Sequence, residues 1–150
     1  MFKVIVVGTD GSARADRAVD EAVTLAQQAG AMLHVVHVMH VVSMATASYG
    51  DPGVIASVNA ESRDHGDQVL ERVRSMAEKK GVKVETHNVD GDPADMLVGV
   101  AEAAHADLLV VGNRGMAGVK RFVLGSVPNK VSHHCPCSLL IVDTDTLEDH

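Results

Sequence analysis

The stretch Lys3-Val4-Ile5-Val6-Val7-Gly8-Thr9-Asp10-Gly11-Ser12 decides the fold, because the residue pattern changes period across it. Up to Gly8 it is a continuous apolar run rich in β-branched residues, the pattern of a strand covered on both faces. From Ser12 onward Ala15, Ala18, Val19, Ala22, Val23 and Ala26 fall on one stripe of period 3.6, and Gly30 supplies a C-terminal stop. A buried strand turned directly into an amphipathic helix is the first half of a βαβ unit.

Working outward, the alternation repeats. Residues 32–39 read as the second strand, in which His34 and His37 interrupt an apolar run and read as core or crevice residues. Residues 41–59 show no clear period, contain the turn signal Tyr49-Gly50-Asp51-Pro52-Gly53, and are expected to form a mobile loop. A helix follows from about 61 to 80 with Val69, Val73, Met76 and Ala77 inward, ended by Gly81. Residues 82–89 are the third strand. Asp92-Pro93 reads as an N-cap and a first-turn proline, opening a helix that buries Leu97, Val100, Ala101 and Ala104. Residues 107–112 make the fourth strand, 113–124 a glycine-bearing loop, 126–134 a short helix with Val127 and Val131 inward, and 138–143 the last strand, before an acidic tail at 144–150. Regular alternation predicts one α/β domain over 1–150: a doubly wound parallel sheet with helices on both faces.

Composition narrows the function. The 150 residues fit one domain, and a 46% hydrophobic content argues against disorder. With 13 Lys plus Arg against 20 Asp plus Glu, a net charge of −7, the balance argues against nucleic acid, whose binding needs a concentrated basic surface, and 2% aromatics leave little on which bases could stack. The run at Val4 to Val7 is too short for a signal or a membrane span, so no membrane partner is expected. Cys135 and Cys137 flank Pro136; their close spacing argues against a mutual disulfide, and a reducing, cytoplasmic setting is expected.

In an open doubly wound sheet, ligands bind beyond the carboxyl ends of the strands at the switch point. Two loops there carry chemistry. The first is Gly8-Thr9-Asp10-Gly11-Ser12; the second begins Gly112-Asn113-Arg114-Gly115 and continues to Leu124-Gly125-Ser126-Val127. Glycines let backbone N–H groups approach phosphate oxygens, and Gly125-Ser126 stands where a helix N-terminus favours an anion. Ser126 adds a hydroxyl, and Arg114, Lys120 and Arg121 could offset phosphate charge. The competing reading is a surface loop whose glycines only make turns. Asp10 has two readings as well: a carboxylate accepting from ribose hydroxyls, or, with Ser12, a cap for the first helix.

Other motifs fail. Position 10 is Asp10, so no dinucleotide fingerprint follows the first strand, and neither a P-loop nor a G-x-S-x-G elbow occurs. No metal site is expected: His133-His134-Cys135-Pro136-Cys137 are too close in sequence to turn together towards one tetrahedral ion, and read as a helix end followed by a turn.

The pattern Gly112-x-x-Gly115, nine residues, then Gly125-Ser126 resembles the ATP-binding signature of the universal stress protein family. Val4 to Ser12, Val110-Val111-Gly112, Leu124-Gly125-Ser126-Val127 and Cys135-Pro136 followed by Leu139-Leu140-Ile141-Val142 match the same family over nearly the whole chain. The resemblance implies a Rossmann-like five-stranded sheet in order 3-2-1-4-5. It implies an adenine nucleotide (ATP, AMP or a cyclic relative), with Mg2+ able to accompany the phosphates. Asp10 would meet the ribose and the backbone around Val38 the adenine, while Gly112, Gly115, Gly125 and Ser126 would hold phosphates; Gly8, Thr9, Asn113, Arg114 and Val127 complete the expected site. It further implies a homodimer paired through the last strand, 138–143. A nucleotide binder in stress or signalling is the leading expectation, with a slow ATPase or self-phosphorylating enzyme, and a nucleotide-independent dimeric interaction module, as alternatives.

Overall fold

The computed structural model describes residues 1–39, 50–113 and 124–144. Its elements run β1 (Val4–Thr9), α1 (Ala13–Ala29), β2 (Met32–Met39), α2 (Pro52–Lys79), β3 (Val84–Asp90), α3 (Pro93–Ala103), β4 (Leu108–Gly112), α4 (Ser126–His134) and β5 (Ser138–Val142). The five strands form one parallel sheet in the order β3-β2-β1-β4-β5. The fold is the Rossmann-like α/β architecture that the alternating pattern predicts.

The period-2 alternation of the strands splits the core into two layers. Ile5 and Val7 of β1, with Leu33 and Val35 of β2, pack on Ala18 and Ala22 of α1 and on Val73 and Ala77 of α2. Val6, Val36 and Leu109 point the other way, onto Leu97 and Ala101 of α3 and Val131 of α4. The caps follow the sequence. Ser12 Oγ accepts from Ala15 N at 3.1 Å, and Gly30 closes α1 in the left-handed region at φ 65. Asp92 accepts from Asp95 N at 3.0 Å with Pro93 at the first helical position.

Two expectations are corrected. The stretch 41–59 is not loop throughout: α2 begins at Pro52, and only its earlier residues, 41–49, lie outside the described residues. The turn signal there is a helix start of the same kind as Asp92-Pro93. Asp51 is the N-cap, its Oδ1 accepting from Gly53 N at 2.7 Å, and Pro52 fits the first turn because its missing N–H has no partner to lose. The added turns bury Ile55. The tail is also shorter than expected at its start. Thr144 is fully buried, with its N and Oγ1 donating to Asn113 Oδ1 at 3.0 and 2.8 Å, so it belongs to the body of the domain. Residues 145–150 lie outside the described residues. No helix among the described residues is long and apolar enough to cross a membrane.

Candidate functional site

β1, β2 and β3 wind to one side of the sheet and β4 and β5 to the other, so the switch point falls between β1 and β4. A cleft of about 200 Å³ opens there. Gly8, Thr9 and Asp10 of the first loop and Gly112 at the end of β4 lie on it, with Val38 from β2 and Val127 from α4. Six residues singled out in the sequence therefore meet around one space.

The interior of the cleft is apolar. Val36, Val111 and Leu97 line it, with Pro93 and Pro128 from the first turns of α3 and α4. These walls were not singled out as site residues. Leu97 and Pro93 were legible as parts of a helix, but only the sheet order reveals that this helix lies over the switch point. Gly8 shows how closely it lies: a Cβ there would stand 2.8 Å from Leu97 Cδ2. Any larger residue at position 8 would have to displace the Leu97 side chain, which lines the cleft.

The two helix starts that supply the prolines are tied together. Lys130 Nζ donates to Asp92 Oδ2 at 3.0 Å and lies 3.2 Å from Asp95 Oδ1, joining α4 to the N-terminus of α3. The Asp95 backbone N–H first, and Lys130 second, hold the Asp92 carboxyl below its ordinary value.

The polar rim resolves one fork. Ser12 is the N-cap of α1, while Asp10 Oδ1 accepts from Ser12 N at 2.9 Å, a bond inside the loop. Thr9 Oγ1 likewise accepts from Gly11 N at 3.1 Å. Asp10 thus stands exposed at the cleft with its carboxylate oriented by the loop backbone and is not the helix cap.

Asn113 has a structural role that the sequence did not disclose. Besides the two bonds from Thr144 to its Oδ1, its carbonyl accepts from Gly125 N at 2.8 Å and its N–H donates to Val142 O at 2.9 Å. Asn113 fastens both ends of the glycine-bearing segment to the sheet. Arg114 and Gly115, like Lys120 and Arg121, lie outside the described residues. Gly125 is the N-cap of α4 and brings no side chain to it, so the first-turn N–H groups beside Ser126 and Val127 receive no side-chain cap from it. A helix start left this way favours an anion.

The comparisons with known proteins agree on one group. The model of the universal stress protein family matches residues 1–143. The universal stress protein YxiE of Bacillus subtilis is 36% identical over 147 residues, covering 95% of this chain and 99% of its own. A universal stress protein crystallised in complex with cAMP superposes with a TM-score of 0.74 at 31% identity, over 96% of this chain and 99% of its own. UspA from Lactobacillus plantarum, at 23% identity, shares the fold with a TM-score of 0.81 over 93% and 97% of the two chains.

Proposed function

The chain belongs to the universal stress protein family, and from that premise we propose that it binds an adenine nucleotide, ATP foremost with AMP and cyclic nucleotides as relatives, in stress response or signalling. The observation that carries the reading is the division of the cleft: an apolar interior of Val36, Leu97 and Val111 beside a rim of Asp10, Gly112 and the start of α4. A flat, apolar base suits the interior, hydroxyls suit the carboxylate, and phosphates suit the helix start. In this reading the backbone near Val38 meets the adenine and Asp10 the ribose. Gly112, Gly115, Gly125 and Ser126 hold the phosphates, with Mg2+ accompanying them and Arg114 near by. The related protein solved with cAMP supports the nucleotide class. The two free thiols, Cys135 and Cys137, suit the cytoplasm.

Calorimetry with ATP, AMP and cAMP on the full chain tests this. Gly125 has extended backbone angles, φ −62 and ψ 166, which a β-branched residue adopts readily. Gly125→Val is therefore expected to fold while its side chain obstructs the approach of phosphate, weakening ATP binding by about 1–3 kcal/mol. Unchanged affinity in a folded variant would remove the cradle from this reading.

Assembly through β5 is the second part of the proposal. β5 is an edge strand whose Leu139, Leu140, Ile141 and Val142 are only partly buried. An apolar edge with free ladder groups is a template for pairing with another copy across a two-fold axis. Val142 O accepts from Asn113 N, so the Val142 backbone faces inward and the neighbouring Ile141 backbone faces out. Proline at Ile141 then removes an outward donor without cutting the β4 ladder. Sedimentation at micromolar concentration is expected to give a dimer for the natural chain and a folded monomer for Ile141→Pro; a monomeric natural chain contradicts the proposal.

A further inference from the structure

Away from the cleft, β2 and β3 bring three metal-ligating side chains together. Along β2, His34 shares the face of Val36 and Val38, which pack in the α3 layer; along β3, Glu85 and His87 share the face of Val89, which packs in the same layer. The parallel register sets Glu85 beside His34 and His87 beside Val36, one step further along the strand. His34 Nδ1 lies 2.9 Å from His87 Nε2 and 3.2 Å from Glu85 Oε2. One ligand atom from each residue falls within 4.8 Å of the other two.

Hydrogen bonds alone satisfy this arrangement poorly. If His34 Nδ1 carries its proton, one N–H faces both an imidazole nitrogen and a carboxylate oxygen. If it does not, its lone pair faces the carboxylate. A cation among the three atoms uses a lone pair from each. A tetrahedral ion with bonds of about 2.0–2.1 Å sets adjacent ligand atoms roughly 3.3 Å apart, and the two spacings from His34 already stand close to that.

We propose that His34, Glu85 and His87 form a binding site for one divalent transition metal of the zinc class, held by three protein ligands with a fourth position open to solvent. Two imidazoles and one carboxylate suit zinc and its borderline neighbours, whereas magnesium and calcium take oxygen ligands. The opening is on the Glu85 side, whose side chain is 57% exposed, while His34 is buried and fixed against the sheet. None of the three side chains lines the cleft, so the site stands independently of the nucleotide reading.

The sequence hides this site. His34, Glu85 and His87 have no metal-ligand spacing, and they meet only because β3 pairs with β2. The competing place for zinc is the thiol pair Cys135 and Cys137, whose sulfur atoms lie 3.9 Å apart.

The test is competition for Zn2+ between the full chain and a chromogenic chelator, with Co2+ as a spectroscopic probe of the same site. The expected result is one ion per chain and visible Co2+ bands without the near-ultraviolet absorption of a thiolate–metal bond. Glu85→Gln keeps the shape of an exposed side chain, and with His87→Ala it is expected to weaken Zn2+ binding by more than about 100-fold, beyond what loss of an outer-shell partner costs. A Cys135→Ser, Cys137→Ser chain is expected to bind as the natural chain does. Binding that survives both Glu85→Gln and His87→Ala overturns the proposal. So does binding that disappears with the cysteines, or a natural chain that takes up no Zn2+ from the chelator.

Discussion

Replacing Gly66 with alanine is expected to lower the thermal midpoint of the domain by roughly 2–20 °C, although alanine is the better helix former. Gly66 is buried in α2 where that helix crosses β2 and β3. A Cβ there would lie 2.6 Å from His37 Nδ1 and 2.8 Å from Asn88 Nδ2, and would collide with Asn88 Oδ1. The Asn88 side chain cannot step aside freely. Its Nδ2 donates to Arg63 O at 3.0 Å and to Asp67 Oδ1 at 2.9 Å, and its Oδ1 meets His37 Nδ1 at 3.1 Å. His37 is 5% exposed, so a broken bond there leaves a buried polar group. Overpacking costs about 1–3 kcal/mol and the unsatisfied group about 1–3 kcal/mol more. The helix-propensity gain returns about 1 kcal/mol, leaving a net loss of about 1–5 kcal/mol. For a chain of this size each kcal/mol moves the midpoint by about 2–4 °C. Gly99, with nothing near its Cβ position, is the control, and alanine there is expected to stabilise slightly. Equal midpoints for the Gly66→Ala and Gly99→Ala chains would show that the His37–Asn88 contact does not constrain α2.

That contact also marks the limit of what the sequence discloses. Strands buried on both faces and helices with one apolar stripe are local patterns, so β2 and α4 are legible to the residue and β1 and α1 to within one residue at each end. Caps are local too, yet Asp51-Pro52 reads as a turn because the residues before and after it lack a clear period. The same dipeptide at Asp92-Pro93 is followed at once by an apolar stripe and reads as a helix start. Long-range pairings leave no such trace. His37 with Asn88, His34 with His87 and Thr144 with Asn113 depend on which strands are neighbours and in what register. The glycine positions divide in the same way. Gly30 ends a helix and is legible as such, whereas at Gly8 and Gly66 side chains distant in sequence stand where a Cβ would go.

The largest functional effect expected is a gap between binding and turnover. A binder needs complementarity to the ground state, whereas an enzyme must favour the transition state. In the proposed pose the described rim offers ATP the Asp10 carboxylate and the backbone donors at the start of α4. Phosphoryl transfer asks for more: a group that orients the attacking water and acidic ligands that position a metal on the phosphates. Among the described residues Asp10 is the carboxylate on the cleft, and its Oδ1 already accepts from Ser12 N within the loop. A carboxylate oriented this way at the ribose end is badly placed to serve the terminal phosphate as well. Phosphate release under single-turnover conditions with magnesium is therefore expected to run far below the roughly 1–10³ s⁻¹ of ordinary enzymes, while the nucleotide stays bound. Asp10→Ala is expected to weaken binding through the lost ribose contacts, at about 1.5–3 kcal/mol for hydrogen bonds to a charged group, and to change any residual hydrolysis only secondarily. Rapid release by the natural chain that vanishes in an Asp10→Ala chain still able to bind ATP would make Asp10 catalytic and the protein an ATPase.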